Sequence, residues 1–183
     1  MKAWTKYVNG FEKIGKGAFS TAYRNEDVVR VVVKWRKGRK QMDYAKQALA
    51  FFAGTGKHIP QIERLDFGDD WEVYELPFYQ RLTKDFATAW KQFQTLRKLW
   101  QKNQVCFQQS RYARIEKFLE MVKESNLPAS LVEDLESIII AFSTFGEDAF
   151  LLEFSARNLA VDSDGNLILL DIGFNPAALE KEA

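Results

Sequence analysis

The sequence predicts an α+β fold in which a small antiparallel sheet is followed by a mainly helical second part. Two observations carry this prediction. The first 80 residues contain short runs rich in valine and aromatic residues, separated by turn-forming glycines and aspartates, as is typical of strands. From Asp85 onward the apolar residues recur at the spacing of amphipathic helices. We expect a single domain over residues 1–183, with the sheet in residues 1–80 and the helices in residues 81–183.

Composition limits the classes of function that need to be considered. Hydrophobic residues make up 46% of the 183 residues and the formal net charge is +1, so the chain should bury a core and has no general attraction for nucleic acids or anionic membranes. Cys106 is the only cysteine, which excludes an internal disulfide, and with His58 as the only histidine a zinc site or a Cys/His nucleophilic pair is poorly supplied. We expect His58 to be a structural or surface residue. No apolar run is long enough to span a bilayer, and we expect a cytoplasmic protein.

The N-terminal third predicts a hairpin around a glycine-rich turn. The segment 11–23, FEKIGKGAFSTAY, has apolar residues on both sides of Gly15 and Gly17, and the valine run 27–35 predicts the next strand. Glycines are common in any turn, so the pattern fits an ordinary hairpin. Glycines at these positions would also let backbone N–H groups approach phosphate oxygens closely.

The next segments continue the sheet and add one helix. The basic run 36–40 is typical of a solvated turn. Residues 41–53 carry apolar side chains at helical spacing and end at Gly54, which predicts a helix. Residues 64–76 predict a second hairpin, which ends at Pro77.

Three longer helices are predicted in the second part. The first carries an apolar stripe of Phe86, Trp90, Phe93, Leu96 and Trp100. Such a stripe could stack nucleic-acid bases, but at helical spacing it is typical of core packing. The second helix covers 111–125, and the third begins near Pro128 and ends at Gly146.

The tail, residues 153–173, holds the residues best suited to chemistry. Glu153, Asn158 and Asp171 offer carboxylate and amide oxygens, which are the hard ligands that Mg²⁺ and its bound phosphates favour. Between them, the segment Asp162 to Asn166 joins two apolar runs and predicts a hairpin. A calcium-binding EF-hand is excluded, because Gly165 comes too early in the segment and the terminal glutamate is missing.

Two groups of motifs resemble the protein kinase family. The loop IGKGAFS (14–20), with Ala22, Tyr23 and then VVVK (31–34), resembles the kinase glycine-rich loop and lysine strand. Glu153, Asn158 and the DIG triplet at 171–173 follow the spacing of the kinase catalytic loop and metal-binding motif. Because the sequence ends ten residues after Gly173, it looks most like the small, truncated serine/threonine kinase-like proteins of bacteria and phages. The resemblance implies a minimal two-lobed kinase fold, with a sheet lobe and a truncated helical lobe.

The resemblance also implies roles for individual residues, with ATP and Mg²⁺ as cofactors. Lys34 would pair with phosphates, Asn158 and Asp171 would hold Mg²⁺, and Glu153 would take the place of the catalytic base. Tyr74 would be the gatekeeper beside the adenine. The implied cofactor-binding residues are Gly15, Gly17, Phe19, Ser20, Ala22, Val32, Lys34, Tyr74, Glu75, Leu76 and Ala160.

The sequence departs from the kinase pattern at several positions. The helix predicted at 41–53 lacks the glutamate that pairs with the strand lysine, and Gln47 is the closest match by spacing. Leu151 and Leu152 replace the histidine and arginine before the base, and Ser155 stands where serine/threonine kinases carry lysine. Three hypotheses follow. The first is phosphoryl transfer to Ser or Thr of a protein. The second is a pseudokinase that binds nucleotide or a protein partner, and the third is a small-molecule kinase.

Overall fold

The computed structural model describes residues 3–17, 20–34, 45–104, 111–146 and 150–174. Within these ranges the chain is an α+β protein in which an antiparallel sheet precedes the longer helices. The strands are β1 (Glu12–Lys16), β2 (Ser20–Asn25), β3 (Val28–Lys34), β4 (Glu63–Gly68), β5 (Trp71–Pro77), β6 (Gln80–Arg81), β7 (Leu151–Leu152), β8 (Ala160–Val161), β9 (Leu167–Ile168) and β10 (Gly173–Phe174). The helices are α1 (Ala45–Phe51), α2 (Ala87–Gln104), α3 (Arg111–Lys123) and α4 (Ala129–Gly146), with 3-10 helices at Ala3–Val8 and Ala156–Asn158. None of the described helices is long and apolar enough to cross a membrane.

The N-terminal sheet is antiparallel throughout, with the strand order β1-β2-β3-β5-β4. Both predicted hairpins, β1–β2 and β4–β5, are confirmed. The valine run forms the central strand β3, because β-branched side chains pack well in a strand that has neighbours on both sides. Val31 lies opposite Ala22 of β2 and opposite Tyr74 of β5.

The two faces of this sheet are covered by different parts of the chain, because side chains alternate along a strand. One set of β3 side chains belongs to the main hydrophobic core, together with Leu49 of α1: Val29, Val31 and Val33. We call this the inner face. The alternate set lies on the outer face: Arg30, Val32 and Lys34. There the N-terminal 3-10 helix covers the sheet, and Arg30 donates a hydrogen bond to the Tyr7 carbonyl at 2.5 Å.

Apolar periodicity predicts the three longer helices, and α2, α3 and α4 confirm them with ends within a few residues of those expected. The aromatic stripe of α2 packs into the core, since Phe93, Leu96 and Trp100 are at most 6% exposed. The Trp100 ring meets the Phe118 ring of α3 edge-on, with 5.1 Å between centroids. The stripe is therefore core rather than a surface for stacking bases.

The predicted tail hairpin is confirmed as the antiparallel pair β8–β9. The Asp162 carboxylate organises its turn by accepting hydrogen bonds from the backbone N of Asp164 at 3.0 Å, and from the backbone N and side-chain Nδ2 of Asn166, both at 2.8 Å. Gly165 has a φ of +84°, which favours glycine. Partial burial raises the pKa of the Asp162 carboxyl, but the hydrogen bonds from Asn166 and Asp164 outweigh it and hold this pKa below its usual range.

His58 is a buried polar residue that ties the tail hairpin to α4. Its backbone N donates to Asp134 Oδ2 at 2.7 Å, and its ring Nδ1 lies 2.7 Å from the Leu167 carbonyl. The Leu169 N donates to the His58 carbonyl at 2.9 Å, and ring Nε2 lies 3.2 Å from Ser130 Oγ. Because a carbonyl oxygen can only accept, Nδ1 is the donor to Leu167. His58 is buried, so of the two expected roles, structural or surface, these contacts support the structural one.

We expect His58→Gln to lower the free energy of unfolding by about 2–4 kcal/mol, because the Leu167 carbonyl loses its buried donor. The matched variant is His58→Asn, whose shorter side chain can place an amide nitrogen near the position of Nδ1, and it should lose clearly less. Chemical denaturation of both variants measures the difference. Equal losses would contradict the importance assigned to Nδ1.

Candidate functional site

The three tail residues that the sequence singles out lie together in the structure. The backbone N of Asp171 donates to the Asn158 carbonyl at 2.9 Å, and the backbone N of Glu153 donates to the Ile172 carbonyl at 2.8 Å. The Asn158 side chain completes the set, because its Nδ2 donates to the Glu153 carbonyl at 3.4 Å. We call Glu153, Asn158 and Asp171 the tail cluster.

A short 3-10 turn brings Asn158 back toward Asp171. Ser155 caps this turn, with its hydroxyl accepting from the Arg157 N at 3.4 Å and its carbonyl accepting from the Asn158 N at 2.9 Å. Serine suits this position because its short hydroxyl satisfies a backbone N–H at the start of the turn. On the far side of Asp171, strand β10 pairs with β7 and fixes the direction of the chain.

The oxygens of the tail cluster suit a hard cation. The Asp171 side chain is 45% exposed, so a ligand can reach its carboxylate. Because Asn158 donates through Nδ2, its Oδ1 is left to accept. Mg²⁺ commonly binds one or two protein oxygens and completes its shell with water and phosphate oxygens. The described residues contain no group of three or more histidine, cysteine, aspartate or glutamate side chains that could hold a metal on their own.

A lysine that the sequence analysis missed reaches the tail cluster from α1. Lys46 Nζ lies 2.7 Å from Asp171 Oδ1, and the Lys46 side chain is only 12% exposed. The same Nζ donates to the Leu170 carbonyl at 3.4 Å. A signal was present in the sequence, because Lys46 stands three residues before the core residue Leu49 and therefore shares its side of the helix.

Glu153 forms an ion pair with a neighbouring arginine. Arg157 Nη2 lies 2.7 Å from Glu153 Oε1, and the side chains are 76% and 39% exposed, respectively. Since both partners face water, the ion pair is weak and is easily broken. The Glu153 carboxylate is therefore available at the surface of the cluster but is not free of partners.

The glycines of the N-terminal loop are not required by the packing of the described residues. A methyl group added to Gly15 would come no closer than 3.9 Å to Ala22, and one added to Gly17 no closer than 3.5 Å to Ser20, both ordinary contacts. Gly17 N donates to the Ser20 carbonyl at 2.8 Å and closes the turn. Among the described residues, side chains therefore do not crowd the backbone at these two glycines.

Two predicted nucleotide-binding residues of β3 lie on the outer face. Val32 is fully buried opposite Val73. Lys34 Nζ lies 3.6 Å from the centre of the Trp4 ring, in the N-terminal 3-10 helix. The resemblance predicts both on the cleft side, but strand alternation puts them on the opposite face from Val31. The structure therefore does not bring Lys34 to the tail cluster, and its phosphate-binding role remains a prediction.

The remaining predicted contacts lie along β5 and β8. Tyr74 is fully buried on the inner face, and its hydroxyl donates to Glu72 Oε2 at 2.5 Å. Burial, and then this hydrogen bond, raise the pKa of the Tyr74 hydroxyl. Glu75 has a paired strand on either side, so its main chain takes part in the sheet. Leu76 and Ala160 are buried, at 6% and 3% exposure.

Some predicted features lie outside the described residues. They are the loop-tip residue Phe19, the basic run 36–40, the first residues of the predicted helix (41–44) and Cys106. Gln47 lies in α1, but its side chain is also outside the description.

Comparisons with known proteins find similarity among solved structures. No protein-family model matches the chain, and no curated protein sequence does so. Among solved structures, the crystal structure of choline kinase LicA from Streptococcus pneumoniae is similar, with a TM-score of 0.40 and 12% sequence identity. That alignment covers 94% of this chain and 69% of the choline kinase chain. A similarity this distant assigns no function, so the proposals below rest on the residues themselves.

Two glycine substitutions should differ in their effect on the free energy of unfolding. We expect Gly173→Ala to lower the free energy of unfolding by about 1–3 kcal/mol, because overpacking strains a well-packed core. The added methyl would lie 2.1 Å from a ring carbon of Phe142, whose ring is stacked on Phe150. The matched variant Gly15→Ala should stay within about 0.5 kcal/mol of the wild type. Thermal or chemical unfolding tests both, and equal losses would contradict the packing described for these glycines.

Proposed function

We propose that this chain binds Mg²⁺ and ATP and transfers the γ-phosphoryl group to a hydroxyl acceptor. The observation that carries the proposal is the tail cluster, in which hydrogen bonds join Glu153, Asn158 and Asp171 across a separation of up to eighteen residues in sequence. These residues match the kinase pattern in type or charge, in order and in spacing. Their proximity in the fold supports a common role.

Within the site, Asn158 Oδ1 and the Asp171 carboxylate would hold Mg²⁺. The bound ion would neutralise and position phosphate oxygens, which is most of what phosphoryl transfer requires. The loop at Gly15 and Gly17 would offer backbone N–H groups to the phosphates from the other side. The side chains of Ala22 and Val31, which face each other across β2 and β3 on the inner face, would meet the nucleotide base.

Glu153 would orient the acceptor and take its proton. The hydroxyl oxygen would bond to the γ-phosphorus while the bond from that phosphorus to the bridging oxygen of ADP breaks, and the hydroxyl proton would pass to the Glu153 carboxylate. For this step Glu153 must leave its ion pair with Arg157, which is exposed and therefore weak. The acceptor we propose is a Ser or Thr hydroxyl of a protein, because the motifs that identify the site resemble those of protein kinases.

A second candidate function is nucleotide binding without transfer. It is favoured by the same Glu153–Arg157 ion pair, because a carboxylate engaged by a cation is a poorer base. In that case the residues that hold the metal and the phosphates would work, while the base would not.

Transfer of label from γ-labelled ATP, with Mg²⁺ present, tests the proposal against both a protein mixture and a metabolite extract. We expect Asp171→Asn to lower transfer at least about 100-fold through loss of the metal ligand, and Glu153→Gln to lower it by about 10²–10⁴-fold. The matched control is Glu136→Gln, since Glu136 lies on α4 in an exposed pair with Lys123, and it should behave as wild type.

The outcomes separate the candidate functions. Label on protein supports the proposed acceptor, and label on a metabolite alone makes the chain a small-molecule kinase. ATP binding by the wild type without any transfer establishes the second candidate. Failure of the wild type to bind ATP with Mg²⁺ would overturn the site itself.

A further inference from the structure

Lys46 is placed where a nucleotide held by the tail cluster would carry its negative charge. The ammonium group is mostly removed from water and sits 2.7 Å from Asp171 Oδ1, with the Leu170 carbonyl at 3.4 Å as a second acceptor. Burying an ammonium group is costly unless an anion accompanies it. In the structure as it stands, Asp171 supplies that anion.

A metal ion on Asp171 would change this balance. Mg²⁺ binds a carboxylate oxygen at about 2.0–2.1 Å, so an ion on the oxygen that Lys46 contacts would lie within about 5 Å of Nζ. Two cations at that distance repel each other, and the ammonium group would need another anion. Phosphate oxygens bound to the same Mg²⁺ would supply it. A lysine can follow them because its flexible stem carries three donors at its end.

The lysine expected for this task from the kinase resemblance lies elsewhere. Lys34 is on the outer face of the sheet, with its Nζ over the Trp4 ring, and Lys46 comes from a helix that packs with the inner face. The helix predicted at 41–53 also lacks the glutamate that would pair with a strand lysine. The lysine beside Asp171 therefore comes from α1, in place of the strand lysine and helix glutamate that the kinase resemblance leads us to expect.

We propose that Lys46 binds the phosphates of the nucleotide, and that it holds the Asp171 carboxylate in place when no nucleotide is bound. This inference rests on the proposed function, because it requires ATP and Mg²⁺ at the tail cluster. It makes α1 a direct part of the site. Loss of the Lys46 charge should then have two opposite effects, on nucleotide binding and on metal binding in the absence of nucleotide.

The experiment uses Lys46→Met, which keeps most of the buried stem. Titration calorimetry with Mg²⁺ and ATP should show affinity about 10- to 100-fold weaker than wild type, as expected for loss of a charge-assisted hydrogen bond. Titration with Mn²⁺ alone, followed by electron paramagnetic resonance, should show tighter binding, because Lys46 no longer competes for Asp171. A residue with only a structural role would not move the two affinities in opposite directions.

Two further variants make the result decisive. Lys98→Met, at an exposed position of α2, controls for the loss of one positive charge and should leave both affinities unchanged. If Lys46→Met does not fold, as judged by circular dichroism, Lys46→Gln carries the same prediction.

If the wild type binds ATP and Lys46→Met binds it equally well, the role of Lys46 is overturned while the proposed function stands. The same follows if Lys34→Met weakens ATP binding and Lys46→Met does not. Absence of ATP binding by the wild type would overturn the proposed function, and the role of Lys46 with it. Weaker ATP binding together with weaker Mn²⁺ binding would also contradict the proposal, because it would show that Lys46 supports the fold of the site rather than competing with the metal.

Discussion

The hydrogen bonds that fix the main chain from Leu167 to Ile172 are the constraint on which the candidate site depends. His58 holds the first half of this segment, through the Leu167 carbonyl and the Leu169 N, and the tail cluster holds the second half. Because Leu167, Leu169 and Ile172 are fully buried, a shift of one residue would expose apolar side chains and leave buried backbone groups unpaired. That cost keeps Asp171 at the surface beside Asn158.

Charge in the site follows from the same arrangement. The segment presents Asp171 toward α1, where the mostly buried Lys46 forms an ion pair with it. This pair is less screened by solvent than the exposed pair of Glu153 with Arg157. The two carboxylates of the tail cluster therefore differ in their surroundings. Asp171 is linked to the helix and to a prospective metal, and Glu153 faces solvent, where an acceptor could approach.

Sequence alone was sufficient for most elements and for the tail cluster, because these depend on local signals. Helices α2 to α4 follow from apolar spacing, the β8–β9 hairpin follows from its turn residues, and Glu153, Asn158 and Asp171 follow from motif spacing. A signal for the face of Lys34 is present in β3, because Arg30 and Lys34 share one face of the strand while Val29, Val31 and Val33 share the other. The roles of Lys46 and of the N-terminal 3-10 helix depend on packing between segments distant in sequence, which local patterns do not record.

A crystal structure of the protein with Mg²⁺ and a non-hydrolysable ATP analogue tests the central claim most directly. The account predicts a metal ion at about 2.0–2.1 Å from Asn158 Oδ1 and from an Asp171 carboxylate oxygen, with Lys46 Nζ moved from Asp171 to a phosphate oxygen. Nucleotide bound with its metal away from both Asn158 and Asp171 would contradict the account. So would a complex in which the Lys46–Asp171 ion pair is unchanged and Lys34 contacts the phosphates.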